Sequence, residues 1–260
     1  MARSVEQSVR EFYDERGWKG SEDRLFRQYS PAYQKYRASA VARTIDCFVG
    51  RSGSLLIAGG GDMPDSHIDI ATKFDEVACI DISRTALDIA QRKVPKLEPT
   101  LGSICAAPFD DSTFDAVFCA HVIYHIDAAE QEQAVRELIR ICKPGGRVVI
   151  VYKNPQSPIR YAAGAVHRLR KLAAPKAAVE EASGLYFSAH SLGWWNRFKD
   201  TSAVSMRPWD IIGSFEERTL IPANGLARSF YGIAGWVEDK APRLAVKLWQ
   251  YPIVILDKSF

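Results

Sequence analysis

Between Ser54 and Tyr152 the chain repeats one unit: a short unbroken apolar run, a polar or glycine break, then a stretch with helical spacing. Leu55-Leu56-Ile57-Ala58 runs into glycines, Val77 to Ile80 and Phe114 to Cys119 are further runs, Arg147 to Tyr152 is another, and a weaker one lies near Leu101. Runs that are apolar at every position, not at alternate ones, are what strands buried on both faces require, and such strands belong to a parallel sheet sandwiched between helices. The intervening segments supply helices from Asp65 to Phe74 and from a Ser83 cap to about Val94. Asp127-Ala128-Ala129-Glu130 has the spacing of a capping box and opens a helix to about Cys142. Lys143-Pro144-Gly145-Gly146 reads as a turn.

Two helices precede the first strand. Val5, Val9, Phe12 and Tyr13 mark one, ending at Gly17-Trp18, and Ser30-Pro31 starts the other, which runs to about Phe48, because serine caps free backbone donors and proline loses nothing at the first helical position. After Lys153 the beat is lost. Ile159, Ala162, Ala163, Val166, Leu169 and Ala173 form one face of a cap helix, Ser191 to Phe198 reads as the next core helix, and Ser202 to Arg207 and Pro252 to Leu256 complete seven strands. About 40 residues carrying another helix separate the last two strands, too many for an ordinary hairpin loop. The division is therefore 1–50 as an N-terminal helical lid, 51–153 as the core, and 154–260 as cap insertions with the last core helix and strands.

A length of 260 residues suits one elaborated domain, and a formal net charge of +3 gives no electrostatic case for a nucleic-acid binder. The five cysteines are odd in number, widely spaced and set in apolar runs, which reads as free thiols, and no metal-ligand spacing is present. No apolar run approaches the roughly 20 residues of a membrane span, so a cytoplasmic location is the expectation.

Gly59-Gly60-Gly61 closes the first strand, where missing side chains let backbone approach a ligand closely. The second strand ends at Asp81, where a carboxylate can accept both hydroxyl hydrogens of a ribose. A dinucleotide fingerprint needs a third glycine three positions beyond Gly61, and that position is Pro64.

These features, with Ala107-Pro108-Phe109, Phe114-Asp115, Ala120-His121-Val122-Ile123-Tyr124-His125 and Lys143-Pro144-Gly145-Gly146, resemble in order and spacing the motifs of class I S-adenosylmethionine-dependent methyltransferases over residues 54 to 153. The resemblance implies an α/β fold, a doubly wound, mostly parallel seven-stranded sheet of the Rossmann-like kind. It implies that Ala58 and Gly59 to Gly61 lie against the methionyl part and ribose, that Asp81 binds the ribose, and that Ile82 packs on adenine. Ser103 and Ile104 would border the adenine, and Ala120 with His121 the sulfonium end. Three positions depart from the family pattern: Ile57 where an acidic residue is frequent, Met63 for the last glycine of the turn, and Ser103 for an adenine-binding Asp. A spermidine synthase-like reading would need an Asp where Ala120-His121 stands.

The function that the resemblance implies is transfer of a methyl group from S-adenosylmethionine, leaving S-adenosylhomocysteine, to a small-molecule acceptor such as a natural product, sugar or lipid-linked metabolite, without a metal. Because the donor is already activated, the protein mainly aligns the reactants, and a base is needed only for a protonated acceptor. His121 and His125 are candidates for that base, His121 being nearer the strand end and His125 reading more as structural; Tyr124 can line the acceptor pocket. Tyr13, Tyr36 and Arg37 are expected lid contacts. The basic run containing Arg160, Arg168 and Lys171 reads as a solvated face or as a contact for an anionic substrate or membrane surface. The departures at Ile57, Met63 and Ser103 keep open a second reading, a catalytically silent S-adenosylmethionine-binding or scaffold subunit. RNA or protein methylation has no Asn-Pro-Pro-Tyr-like tetrapeptide after the fourth strand to support it.

Overall fold

A computed structural model describes residues 3–17, 30–173, 185–221 and 226–259. Its centre is one seven-stranded sheet with the order β3-β2-β1-β4-β5-β7-β6. The strands are β1 (Ser54–Ala58), β2 (Glu76–Asp81), β3 (Leu97–Leu101), β4 (Phe114–Ala120), β5 (Cys142–Val151), β6 (Ser202–Asp210) and β7 (Tyr251–Lys258). The first five pair in parallel, and β7 runs antiparallel to both β5 and β6. The expected doubly wound, mostly parallel sheet is therefore present.

Burial explains why the strands read as continuous apolar runs. Leu56, Ala58, Val117, Cys119, Val148 and Ile150 fill the core on one face of the sheet, while Leu55, Ile57, Ala116, Phe118, Val149 and Val151 fill the other. Alternate residues go to opposite faces, and both faces are covered. At the margin, β3 carries Glu98, Pro99 and Thr100 with only Leu97 buried, so its signal is weak.

The helices are α1 (Val5–Phe12), continued by a π-helical turn Tyr13–Gly17, α2 (Pro31–Asp46), α3 (Asp65–Ala71), α4 (Arg84–Lys93), α5 (Gln131–Ile141), α6 (Pro158–Ala173), α7 (Ser214–Leu220), α8 (Leu226–Lys240) and α9 (Pro242–Leu248). Ser4, Ser30 and Ser83 each accept a backbone N–H at a helix start.

Four expectations are corrected. The helix begins at Gln131, because the Asp127 carboxylate accepts from the Ala129 N–H, closing a turn before the helix. Lys143 to Gly146 lies within β5 as an irregularity in its ladder with β4, with Gly145 at φ +72°. Gly146 leaves no room for a side chain there: a Cβ would sit 2.8 Å from the Lys143 carbonyl and 2.9 Å from that of Asp115. The segment expected as a core helix near Ser191 is a 3-10 stretch, Leu192–Asp200, anchored by buried Trp195 and Phe198. Between β6 and β7 lie α7, α8 and α9, not one helix.

The second N-terminal helix and the C-terminal helices form one structure. Tyr33 and Tyr36 of α2 share a core cluster with Ala227, Tyr231 and Ala234 of α8. Buried carboxylates stitch the two together. The Tyr36 hydroxyl and the Trp249 indole N–H both donate to Glu238, Arg43 pairs with Glu238 at 3.1 Å, and the Ser30 hydroxyl donates to Glu217 at 2.8 Å. Among the described residues no helix is long and apolar enough to cross a membrane.

Candidate active site at the carboxyl edge of the sheet

In a doubly wound sheet, ligands bind outside the carboxyl ends of the parallel strands, at the point where strand order reverses. Here that point lies between β1 and β4, where Ala58 and Ala120 end their strands.

The turn after β1 is held by its glycines. Gly59 has φ +66°, its N–H donates to the Ile80 carbonyl at 2.7 Å, and a Cβ there would lie 2.4 Å from the Val122 side chain. The backbone at the end of β1 thus packs directly against the Val122 side chain from the segment after β4. Met63, the residue standing for the family's last glycine, adopts φ +56° although it is fully buried, so the turn keeps a glycine-like path at the cost of local strain.

Asp81 ends β2 facing this turn. Its two oxygens accept from the Gly61 N–H at 2.9 Å and the Ser83 N–H at 2.8 Å. Burial raises its pKa, the two N–H donors oppose that rise, and the nearby Asp14 adds to it. A carboxylate offers about four acceptor positions, so with two used for backbone anchoring two remain for a diol. The Gly102 N–H donates to the Asp81 carbonyl at 3.0 Å, bringing buried Ile104 and the half-buried Ser103 alongside. Ser103 caps the short 3-10 turn there by accepting from Cys105. Ile82 lines an opening with Arg10, Asp14 and Arg84.

The N-terminal segment reaches this edge through the turn that extends α1. The Ser83 hydroxyl donates to Asp14, a tie between the N-terminal segment and the end of β2 that sequence reasoning missed. Tyr13 packs edge-on to His125 at 6.4 Å, and its phenol is pushed up to about 12 by burial and by the Asp81 charge. It therefore stands between the two ends of the cleft. The other two expected lid residues are placed differently. Tyr36 points into the C-terminal cluster, donating to Glu238 and accepting from the Ile211 N–H at 3.0 Å. Arg37 donates to the Tyr33 hydroxyl at 3.3 Å and lies over the Trp209 ring.

His121 follows β4 with φ +62°. Its Nδ1 is 2.8 Å from the Tyr124 hydroxyl, and its ring packs against Trp209 at 4.9 Å and Tyr251 at 5.4 Å. Burial, then the positive field of Arg37, holds it neutral well below its ordinary pKa. Burial likewise keeps the Tyr124 phenol protonated. His125 is fixed more definitely. Its Nδ1 lies 2.7 Å from the Tyr186 carbonyl, which can only accept, so Nδ1 carries the proton and a neutral ring presents the Nε2 lone pair. Burial also lowers its pKa.

Antiparallel pairing brings Trp209, at the end of β6, and Tyr251, at the start of β7, to the same edge. Neither was marked by any local motif. Among the described residues no group of three His, Cys, Asp or Glu is placed to hold a metal ion.

Residues 59–150 match the model of a methyltransferase domain. That segment, from the turn after β1 to near the end of β5, is similar to the core of methyltransferases. Among curated relatives, the demethylmenaquinone methyltransferase of Paenarthrobacter aurescens is 32% identical over 120 residues, covering 46% of this chain and 46% of that protein. The ubiquinone/menaquinone biosynthesis C-methyltransferase of Escherichia fergusonii is 29% identical over 117 residues, covering 42% of this chain and 46% of that protein. These matches span less than half the length of the curated relatives. Geranyl diphosphate C-methyltransferase from Streptomyces coelicolor A3(2) superposes with TM-score 0.59 at 14% identity, over 99% of this chain and 98% of the other. A SAM-dependent methyltransferase from Thermotoga maritima gives 0.59 at 15%, over 96% and 100%. The likeness in fold thus extends beyond the matched segment to the whole sheet.

Proposed function

We propose that this chain is an S-adenosylmethionine-dependent methyltransferase of a small-molecule acceptor. The observation that carries the reading is the Asp81 carboxylate, buried at the end of β2 and oriented by the Gly61 and Ser83 N–H groups beside a turn whose Gly59 leaves no room for a side chain. Such a site fits a nucleoside with a free ribose diol. Ala58 and Gly59 to Gly61 would hold the methionyl part, Ile82, Ser103 and Ile104 the adenine, and Ala120 with His121 the methyl end. The segment before residue 50 acts as lid through Tyr13 and Asp14, and its Arg37 reaches the methyl end through Trp209. The names of the curated relatives, enzymes of quinone biosynthesis, fit a small organic acceptor. A cytoplasmic site of action accords with this reading.

When bound, S-adenosylmethionine supplies an activated methyl group, and the remaining work belongs to the chain: orientation, exclusion of water and, for an acceptor that arrives protonated, removal of one proton. His125 is suited to that last role, because its tautomer is set by Tyr186 and its Nε2 carries the free lone pair. His121, between Trp209, Tyr251 and Tyr124, is suited to shaping the acceptor pocket.

Calorimetric titration with S-adenosylhomocysteine, beside NADH and decarboxylated S-adenosylmethionine, tests the proposal. Selective binding of S-adenosylhomocysteine followed by methyl transfer in an acceptor screen supports it. Absence of binding refutes the cofactor assignment, and binding with no transfer to any acceptor favours a silent S-adenosylmethionine-binding subunit.

A further inference from the structure

Lys153 leaves the sheet two residues after β5, at the same edge as Asp81 and His121. Its ammonium lies 5.3 Å from the centres of the Phe187 and Tyr251 rings. Among the described residues no carboxylate comes within ion-pairing distance of it and no acceptor within hydrogen-bonding distance. Lys153 is half-buried; two aromatic rings stabilise an ammonium only partly, and a charge partly withdrawn from water without an anion is held at a cost. The surroundings do not balance it. Glu216 acts on Lys153 through space, but Arg160 adds a second positive charge, with its guanidinium 5.8 Å from the centre of the shared Phe187 ring. Two cations face one acid.

The polar groups nearby share this incompleteness. Gln250 is fully buried, and neither its amide nitrogen nor its amide oxygen has a hydrogen-bond partner. Its Oε1 and the Tyr251 hydroxyl lie 3.2 and 3.3 Å from the point where Gly213 would carry a side chain, with a Glu216 oxygen at 2.8 Å. The indole N–H of Trp209, whose ring packs at a tilt against His121, is also buried without a partner. Native proteins seldom leave such groups unmatched, and a few convergent polar groups among apolar and aromatic side chains are what a small-molecule site presents.

We propose that the acceptor carries an anionic oxygen group, a carboxylate or phosphate, on an aromatic or similarly flat apolar body. Lys153 binds the anion, the Gln250 amide N–H and the Trp209 N–H complete its polar contacts, and the packed rings of His121, Trp209 and Tyr251 form a wall against which the body lies. Lys153 is then the residue that selects the acceptor class. Of the basic residues first considered for an anionic partner, Arg160 belongs to this site, whereas Arg168 donates back to the Gly164 carbonyl at 3.3 Å on an exposed face. The side chain of Lys171 lies outside the described residues.

The inference rests on the methyltransferase reading, and its test separates the two. The full-length protein saturated with S-adenosylhomocysteine is titrated with benzoate, phenyl phosphate and the neutral benzamide, read by calorimetry and tryptophan fluorescence. At least one anion should bind tenfold or more tightly than benzamide. Losing one charge-assisted contact corresponds to about 10- to 100-fold in affinity, so Lys153→Met should abolish that preference while leaving S-adenosylhomocysteine affinity unchanged, and Lys153→Arg should restore it. Benzamide binding as well as both anions, no binding by any probe, or a preference that survives Lys153→Met overturns the proposal. If S-adenosylhomocysteine itself does not bind, the cofactor reading fails, and the same titrations on the free protein still decide whether Lys153 is an anion site.

Discussion

Replacing Asp81 by Asn tests the nucleoside site at its most constrained atom. The native carboxylate accepts the Gly61 and Ser83 N–H groups, one on each oxygen. An amide of the same shape keeps one of these acceptors and turns an NH2 group toward the other donor. Leaving one buried donor unpaired costs about 1–3 kcal/mol. Against that, the variant removes a charge that burial and the neighbouring Asp14 disfavour, so the net loss of stability should stay below about 2 kcal/mol. Binding responds more strongly. Two ribose hydroxyls donating to a carboxylate make two charge-assisted bonds, each contributing about 1.5–3 kcal/mol. The amide retains one, now neutral, so the expected loss is about 3 kcal/mol, or roughly 150-fold in affinity for S-adenosylhomocysteine. Urea melts and calorimetric titration of the same preparations separate the two effects. A folded Asp81→Asn protein with affinity within threefold of wild type would refute the ribose assignment.

Three further outcomes are expected from the geometry. Met63→Gly should relieve about 1–2 kcal/mol of left-handed strain but delete a fully buried thioether, a loss of about 2–4 kcal/mol with the cavity it leaves, so urea denaturation should show net destabilisation; a more stable variant would mean that burial counts for less than the backbone. Asp210 is buried against the Tyr33 hydroxyl with its pKa raised from 3.8 to about 6, chiefly by desolvation. The folded state therefore holds that proton more tightly than the unfolded chain, and its contribution is complete below about 3.8 and lost as pH rises through 6. Asp210→Asn should gain stability relative to wild type on going from pH 5 to pH 8, and a constant difference across that range contradicts the assignment. For an acceptor that arrives protonated, turnover should not fall as pH drops through 6.5, because His125 stays neutral below its ordinary range, and His125→Ala should lower kcat by about 100-fold with S-adenosylhomocysteine affinity unchanged; a kcat within threefold of wild type removes the residue from proton transfer.

The proposed cofactor half of the site was legible because nucleotide chemistry is served by contiguous elements. Leu55 to Gly61 is one strand and its turn, and Asp81 comes at the end of the next strand, so the 20-residue interval between Gly61 and Asp81 already encodes their 2.9 Å contact. Strands buried on both faces announce themselves for the same local reason, and β3, with its exposed Glu98 and Pro99, did so weakly. The C-terminal helices obey no such rule. Glu217 and Glu238 look like solvent-facing residues, yet Ser30 and Tyr36 reach them across 187 and 202 residues of sequence and make their burial tolerable. Helical periodicity is blurred where carboxylates are core residues.

The proposed acceptor half has the same character. Lys153, Trp209, Gln250 and Tyr251 come from three segments, and only the antiparallel insertion of β7 between β5 and β6 turns the start of β7 and the end of β6 toward the carboxyl edge of a parallel sheet. No spacing along the chain can show that Tyr251 touches His121, 130 positions earlier, or that Gln250 has no partner. The physical consequence is a division of labour within one fold. Backbone groups and a single carboxylate, fixed by short-range geometry, suit a ligand that does not change. Side chains gathered from distant segments can each be replaced without disturbing β1 or β2. Substitution of Lys153 should therefore alter which acceptor is bound while Asp81 and its nucleoside are unaffected, and the reverse should hold for Asp81→Asn.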